Sequence, residues 1–145
     1  MSAPPPDTNS VTMVHEAIHN PTDPRHFMRL KPANRHVRIL LADKVLAETN
    51  QALRVLEVGK DFYDPIFYVP RNDVIAKLAP SGRQTHCPLK GHTTYYDLVD
   101  GVGGIVIKDA AWSYTDTMDF AAGLHDLVAF DPAFVTIEET PPAQT

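Results

Sequence analysis

The sequence predicts a single domain built mainly from β-strands. Short runs of β-branched and aromatic residues recur along the chain, and Gly, Pro, Asn or Asp residues bound them. No long segment keeps the 3.6-residue apolar period of an amphipathic helix. The length of 145 residues is typical of one domain. We expect about seven short strands with one or two short helices, a mainly β class.

The two ends of the chain differ in composition from the middle. Residues 1–12 are small, polar and proline-rich, and they carry too little apolar surface to offset the entropy of ordering. Residues 13–25 fit a short helix and a coil equally well, and Pro21 and Pro24 would end any helix. We therefore expect a flexible extension over residues 1–25, one β domain over residues 26–139 and a tail over residues 140–145.

The first strands follow the extension. Phe27–Leu30 is an apolar run that ends before a proline. Val37–Leu41 has apolar residues at every second position, which is typical of a strand with one buried face. A turn at Ala42–Lys44 then predicts a hairpin with Val45–Thr49 as its second arm. Ala52–Val58 suits a helical turn and a strand equally well.

The middle of the chain alternates between regular and irregular patterns. Ile66–Val69 is β-branched and aromatic, so it predicts a strand. Asn72 or Asp73 is a good N-cap, which predicts a short helix over Val74–Leu78. Arg83–Gly91 has no periodicity and contains a proline, so we expect a loop there.

The last third predicts more strands. Thr93–Val99 and Ile105–Ile107 flank a glycine-rich turn. Asp116–Ala122 fits a short helix. Leu127–Phe130 and Phe134–Ile137 are separated by an Asp-Pro turn, which predicts a final hairpin.

Composition excludes several classes of protein. The formal net charge of −5 disfavours a broad nucleic-acid-binding face. No apolar run approaches the roughly 18 residues of a membrane helix, so we expect no membrane partner. A single cysteine cannot form an internal disulfide or a CxxC zinc site. The N-terminus has no secretory pattern, so we expect a cytoplasmic protein. We also expect no cofactor and no metal.

Residues 15–19 spell His-Glu-Ala-Ile-His and match the HExxH pattern of zinc hydrolases. Such a motif requires a buried, well-supported helix and a third ligand. Here it lies beside the polar extension, and Pro21 follows two residues later. We therefore give the match little weight as a zinc site.

The most distinctive run is Thr85–Gly91, with the sequence THCPLKG. It places Lys90 three residues after Cys87, the only thiol of the chain. A nearby cation stabilises thiolate over thiol, so Lys90 or a protonated His86 would activate Cys87 as a nucleophile. A buried, inert cysteine is the alternative, because free cysteine packs as a small apolar residue.

Two aromatic clusters and one charge pair complete the candidate residues. Tyr95 and Tyr96 would point to opposite faces of a strand, so one of them could line a pocket. Trp112 and Tyr114 would share a face, and they suit a pocket or a core. A surface ion pair is the simplest interpretation of Glu48 with Arg54, a glutamate and an arginine six residues apart in the sequence. In a cleft, Glu48 would be an acid or base and Arg54 an anion anchor.

Over residues 27–137 the sequence resembles the family called domain of unknown function 427 (DUF427). The matching segments, in chain order, are His36–Ile39, Val45–Thr49, Ala52–Leu53, Tyr68–Val74, Thr85–Gly91, Tyr95–Tyr96, Ala111–Tyr114 and Val128–Phe130. The Cys-Pro-x-Lys-Gly run with its downstream Trp-x-Tyr is the most specific part. One departure is Thr115–Thr117, where the family tends to have prolines.

The resemblance implies a fold rather than an activity. Family members resemble the Mss4-like, or β-tent, architecture of small antiparallel sheets. Related folds hold zinc with paired CxxC motifs, and because this sequence has one cysteine we expect no structural zinc. Relatives with thiol chemistry are a fold analogy only.

Two functions from different classes follow. In the first, a pocket around the Cys-Pro-x-Lys-Gly loop binds a small anionic or aromatic molecule, and it is catalytic through Cys87, Lys90 or Glu48. The ligand contacts would come from Thr85, His86, Arg54, Tyr96, Trp112 and Tyr114. In the second, the protein is a non-catalytic ligand-binding or protein-interaction module. An exposed edge strand would also allow a homodimer.

Overall fold

The structure is a computed structural model that describes residues 16–142. It contains eleven strands and two short 3-10 helices in that range. The strands are β1 Ile18–Asn20, β2 Asp23–Pro32, β3 His36–Leu41, β4 Lys44–Thr49, β5 Leu53–Val58, β6 Ile66–Tyr68, β7 Leu78–Cys87, β8 Gly91–Val99, β9 Ile105–Thr117, β10 Val128–Phe130 and β11 Thr136–Thr140. The 3-10 helices are Arg71–Asp73 and Asp119–Leu124. The predicted mainly β class is confirmed, whereas the Mss4-like relationship stays a prediction.

The strands form three antiparallel sheets. Sheet 1 has the order β1-β2-β5-β6, sheet 2 has the order β10-β9-β8-β7, and sheet 3 has the order β11-β3-β4. Sheets 1 and 2 are joined where Val69 and Val128 exchange two backbone hydrogen bonds of 2.8 Å. A second bridge, from Ala47 to Val74, ties sheet 3 to the segment before β7.

Sheet 2 has a core on each face, because successive side chains of a strand point to opposite sides. In β10, Val128 and Phe130 pack in a first cluster and Ala129 packs in a second. The first cluster fills the space between sheets 2 and 3. The second fills the space between sheets 1 and 2, with Met28 and Tyr68 contributed by sheet 1.

The predicted β3–β4 hairpin is confirmed, and the ambiguous segment before Gly59 is strand β5. The helix predicted over Val74–Leu78 is wrong. Val74 is extended, and the backbone amides of Ile75 and Ala76 donate to the carbonyl of Leu46 at 2.8 and 2.9 Å. Pairing with the edge of sheet 3 therefore outweighs the local capping signal.

The loop predicted over Arg83–Gly91 is wrong for Arg83–Cys87, where β7 continues, whereas Pro88–Lys90 do form a turn. β7 is an edge strand whose residues are largely exposed, so it lacks the apolar alternation that identifies a strand in sequence. Its proline, Pro80, stands at a bulge between Pro80 and Gln84. Edge strands and bulges tolerate proline.

The last predicted hairpin does not form. β10 pairs with β9, and β11 pairs with β3, so the two arms belong to different sheets. The short helix predicted near Asp116 begins later, at Asp119, because β9 extends through Thr117. Ile18–Asn20, within the predicted extension, pairs with β2, while residues 1–15 lie outside the described residues. The predicted domain limits stay a prediction.

Gly91 permits the tight connection between β7 and β8. Its φ is +124°, a conformation that L side chains rarely adopt. A Cβ at this position would overlap the carbonyl oxygen of Asp116 and lie 2.7 Å from the Cα of Thr117. The close approach of β9 therefore requires a glycine here.

We expect Gly91→Ala to lower the free energy of unfolding by about 3 kcal/mol or more, because backbone strain and a steric clash combine. Urea denaturation followed by circular dichroism measures the change. Gly82→Ala is the matched control, since Gly82 also has a positive φ of 90° but has open space around it. Equal losses in the two variants would contradict the role of the close approach.

Candidate functional site

The Cys-Pro-x-Lys-Gly run forms the turn between β7 and β8. The amide of Lys90 donates to the carbonyl of Cys87 at 3.2 Å, and the carbonyl of Lys90 accepts from the amide of Met118 at 3.0 Å. Leu89 is fully buried in the second cluster and anchors the turn. These contacts hold the turn against the core and keep Lys90 out of solvent.

Lys90 forms a buried ion pair with Glu57 of β5. Its ammonium Nζ donates to Glu57 Oε1, and the two side chains are only 11% and 15% exposed. Burial lowers the pKa of Lys90, but its interactions with Tyr68, Tyr114 and Glu57 outweigh that effect and raise the pKa. Burial raises the pKa of Glu57, but Lys90 and His26 outweigh it and lower the pKa. Both groups are therefore charged at neutral pH.

His26 of β2 binds the second oxygen of the same carboxylate, with 2.8 Å between His26 Nε2 and Glu57 Oε2. Its Nδ1 lies 3.2 Å from the amide nitrogen of Asn20. The amide oxygen of Asn20 accepts from the backbone and the hydroxyl of Thr22, so its nitrogen is the side that faces His26. His26 Nδ1 is thus an acceptor, and Nε2 carries the proton donated to Glu57.

Aromatic side chains surround the ion pair in the second cluster. Lys90 Nζ lies 5.5 Å from the ring centroid of Tyr114, within the range of a cation–π interaction. The hydroxyl of Tyr68 accepts a hydrogen bond of 3.1 Å from the indole of Trp112. Burial raises the pKa of both Tyr68 and Tyr114, which keeps both phenols neutral. Cys87 is partly buried and packs against this cluster.

The structure brings together some of the side chains that were predicted to line one pocket. Lys90, Cys87, Trp112 and Tyr114 meet in the second cluster, but Tyr96 does not join them. Tyr96 packs in the first cluster, where its hydroxyl accepts from Arg71 at 3.1 Å. Tyr95 is opposite Trp112 across the sheet, so it lies on the same face of sheet 2 as Trp112.

The other predicted contact residues lie on the surface. The hydroxyl of Thr85 is 3.2 Å from that of Tyr95, and the ring of His86 lies 4.6 Å from the ring of His92. Both Thr85 and His86 are exposed. They project from the edge strand β7 and do not reach the ion pair.

Glu48 and Arg54 do not pair with each other. Glu48 lies on sheet 3, where its Oε1 is 2.9 Å from His36 Nε2. Arg54 lies on sheet 1 and donates to Glu139 at 2.7 Å. The predicted pair is corrected because β4 and β5, although consecutive in the chain, belong to different sheets.

A cavity of about 500 Å³ opens beside His26. Its lining residues are Asp23, Arg25, His26, Gly59, Lys60 and Tyr63. Gly59 keeps the gap between two rings, since a Cβ there would lie 3.2 Å from Tyr63 and 3.3 Å from His26. Neither Arg25 nor Lys60 forms a salt bridge within residues 16–142.

Sequence reasoning missed Glu57, His26 and the cavity residues. Glu57 lies 33 residues before Lys90 and 31 residues after His26. No local pattern joins positions so far apart. The single signal was the run Gly59-Lys60-Asp61, which marks a turn at the end of β5.

A family model described as "Domain of unknown function (DUF427)" matches residues 29–140. The chain belongs to this family. The match includes both members of the Lys90–Glu57 pair, and it begins after His26. A comparison with curated proteins gives no match. The DUF427 resemblance drawn from the sequence is thereby confirmed.

The described part of this DUF427 chain lacks two kinds of feature. Within residues 16–142, no helix is long and apolar enough to span a membrane. In the same range, no group of three or more His, Cys, Asp or Glu side chains is arranged to hold a metal ion. The first residue of the HExxH-like run, His15, lies outside the described residues.

We expect Lys90→Met to lower the free energy of unfolding by about 3 kcal/mol, because it leaves the Glu57 carboxylate buried without its cation. The double variant Lys90→Met/Glu57→Leu should recover part of that loss, since no unpaired charge remains. Chemical denaturation of the two variants and of an exposed control, Lys108→Met, measures this. A double variant that is less stable than Lys90→Met would count against the ion pair.

The ion pair also predicts an acid dependence of stability. The pKa of Glu57 is lowered on folding, so its contribution is present above its ordinary value of 4.5 and is lost as pH falls through the folded pKa. The stability difference between the wild type and Glu57→Gln should therefore be largest near neutral pH and shrink in acid. Thermal denaturation across pH 3 to 7 (roughly the titration range of carboxylates) measures it. Asp64→Asn, at an exposed carboxylate, should give a small difference at every pH.

Proposed function

We propose that this DUF427 protein binds a small anionic molecule in the cavity beside His26, without catalysing a reaction on it. The observation that carries the proposal is the charge of that cavity. Arg25 and Lys60 supply two cations, while Asp23 is its one acidic lining residue. One oxygen of Asp23 already accepts the backbone amide of Arg25 at 3.1 Å. The cations are therefore available to a carboxylate or phosphate.

The ion pair behind the cavity supports binding by fixing the wall. Glu57 and Asn20 occupy both ring nitrogens of His26, so the ring is held in one orientation. Lys90 in turn holds Glu57 from the opposite side. A wall that is already ordered loses little side-chain entropy on binding, which favours affinity.

The same contacts argue against the catalytic form of the proposal. A nucleophilic or basic amine must lose its proton, whereas Lys90 is paired with a carboxylate and its pKa is raised. Both nitrogens of His26 are engaged, so a proton transfer to a ligand would require one hydrogen bond to break. Glu48 lies on sheet 3 and is not a lining residue of this cavity.

We expect benzoate and inorganic phosphate to bind at the cavity. In a titration followed by ¹H–¹⁵N NMR, the amides of Gly59, Lys60 and Tyr63 should shift most. Lys60→Ala and Arg25→Ala should each weaken binding by about tenfold, because each removes a hydrogen bond to a charged group. Lys44→Ala removes an exposed lysine of the β3–β4 turn and should leave affinity unchanged. Shifts spread evenly over the surface would contradict the proposal.

We expect Cys87→Ala to bind the same anions with unchanged affinity, because Cys87 is not among the residues that line the cavity. Its stability should fall modestly, since the thiol packs against the second cluster. The NMR titration above, repeated on this variant, measures the affinity. A loss of binding with an unchanged fold would point to the thiol as part of the site.

A further inference from the structure

The turn after β5 borders two cavities of different chemistry. The amide of Gly59 donates to the carbonyl of Asp61 at 3.0 Å, and the amide of Tyr63 donates to the carbonyl of Glu57 at 3.1 Å. An Asp61 side-chain oxygen accepts from the amide of Phe62 at 2.7 Å. These bonds close a compact turn. It presents Lys60 to the anion cavity and Phe62 to a second cavity.

The second cavity is an apolar groove of about 280 Å³. Its lining residues are Ala17, Phe27, Leu56, Val58, Phe62 and Tyr63, together with the charged residues Arg29 and Glu57. Phe27 and Val58 are direct cross-strand neighbours of β2 and β5, so they form a continuous apolar surface. Phe62 stands at the edge of this surface and is 84% exposed. A hydrocarbon chain that lies in this groove would be removed from water together with the Phe62 ring, which favours binding.

Tyr63 lines both cavities, so the anion cavity and the apolar groove meet at one side chain. A ligand whose charged end contacts Lys60 can therefore extend past the Tyr63 ring into the groove. The chemistry of the two parts is complementary to a molecule with an anionic head and a hydrocarbon tail. A phosphate alone would leave the groove empty.

We infer that the ligand of this site is a free amphiphilic carboxylate, with its head at Arg25 and Lys60 and its alkyl chain along Phe27, Val58 and Phe62. This inference rests on the proposed anion cavity and adds the chemical class of the ligand. Each methylene that enters the groove should raise affinity about fourfold, which corresponds to ~0.8 kcal/mol per buried CH₂.

The test is a titration of the full chain with butyrate, hexanoate and octanoate, all kept below micelle formation, by isothermal titration calorimetry and NMR. Affinity should rise with chain length, and octanol should bind more weakly than octanoate. Phe62→Ser should flatten the dependence on chain length and keep butyrate binding. Lys60→Ala should weaken all three acids and leave octanol unchanged. Val102→Ser, at an exposed residue of the β8–β9 turn, is the control. It should change neither the affinities for the three acids nor the affinity for octanol.

Three outcomes would overturn the inference. Equal affinities for the three acids, with binding still at the cavity, would show that only the charge is recognised, and the proposed function would stand. Sedimentation with phosphatidylglycerol vesicles that Phe62→Ser abolishes, without binding of free octanoate, would make the groove a lipid-surface contact instead. If none of the three acids binds while benzoate or phosphate still binds at the cavity, this inference fails and the proposed function stands. If no anion binds at all, both fail.

Discussion

The buried ion pair between Lys90 and Glu57 is the constraint on which the arrangement around the second cluster depends. It joins the β7–β8 turn of sheet 2 to strand β5 of sheet 1. Removing two charges from water is costly, and their attraction offsets that cost only when the remaining lone pairs are also satisfied. His26 takes the second carboxylate oxygen, and the ring of Tyr114 faces the ammonium. The pair therefore determines where His26, and with it the wall of the anion cavity, is placed.

The two faces of sheet 2 differ because of this pair. The first cluster is formed mainly by aliphatic and aromatic side chains in close packing, with one hydrogen bond from Arg71 to Tyr96 at its edge. The second contains Tyr68, Trp112 and Tyr114 around a charged pair, so hydrogen-bond geometry is specified there as well. Networks of that kind fix one arrangement of their members, because a partly satisfied network in a low-dielectric interior is costly. Ligand recognition benefits from such rigidity, whereas a catalytic amine would need freedom to lose its proton.

The sequence predicted the candidate site only in part. A residue was found where a local pattern marks it and missed where only a distant partner distinguishes it. Lys90, Trp112 and Tyr114 were found because a cation three residues after the only thiol and two aromatic residues at strand spacing are local patterns. Glu57 was missed because its only distinction is a partner 33 residues away, which no local period encodes. Tyr96 was chosen over Tyr95 for the same reason, since alternation separates the two faces but does not say which face holds the charged pair.

The sequence by itself determined the β class and the β3–β4 hairpin, because these depend on side-chain alternation and backbone conformation over a few residues. Only the tertiary structure decided which strands share a sheet. β10 and β11 follow each other in the chain yet pair with β9 and β3, and Val74 is extended because its neighbours bond to Leu46. The cavity beside His26 likewise forms only in the tertiary structure. Its walls come from β2 and from the turn after β5, and backbone pairing between distant strands brings them together.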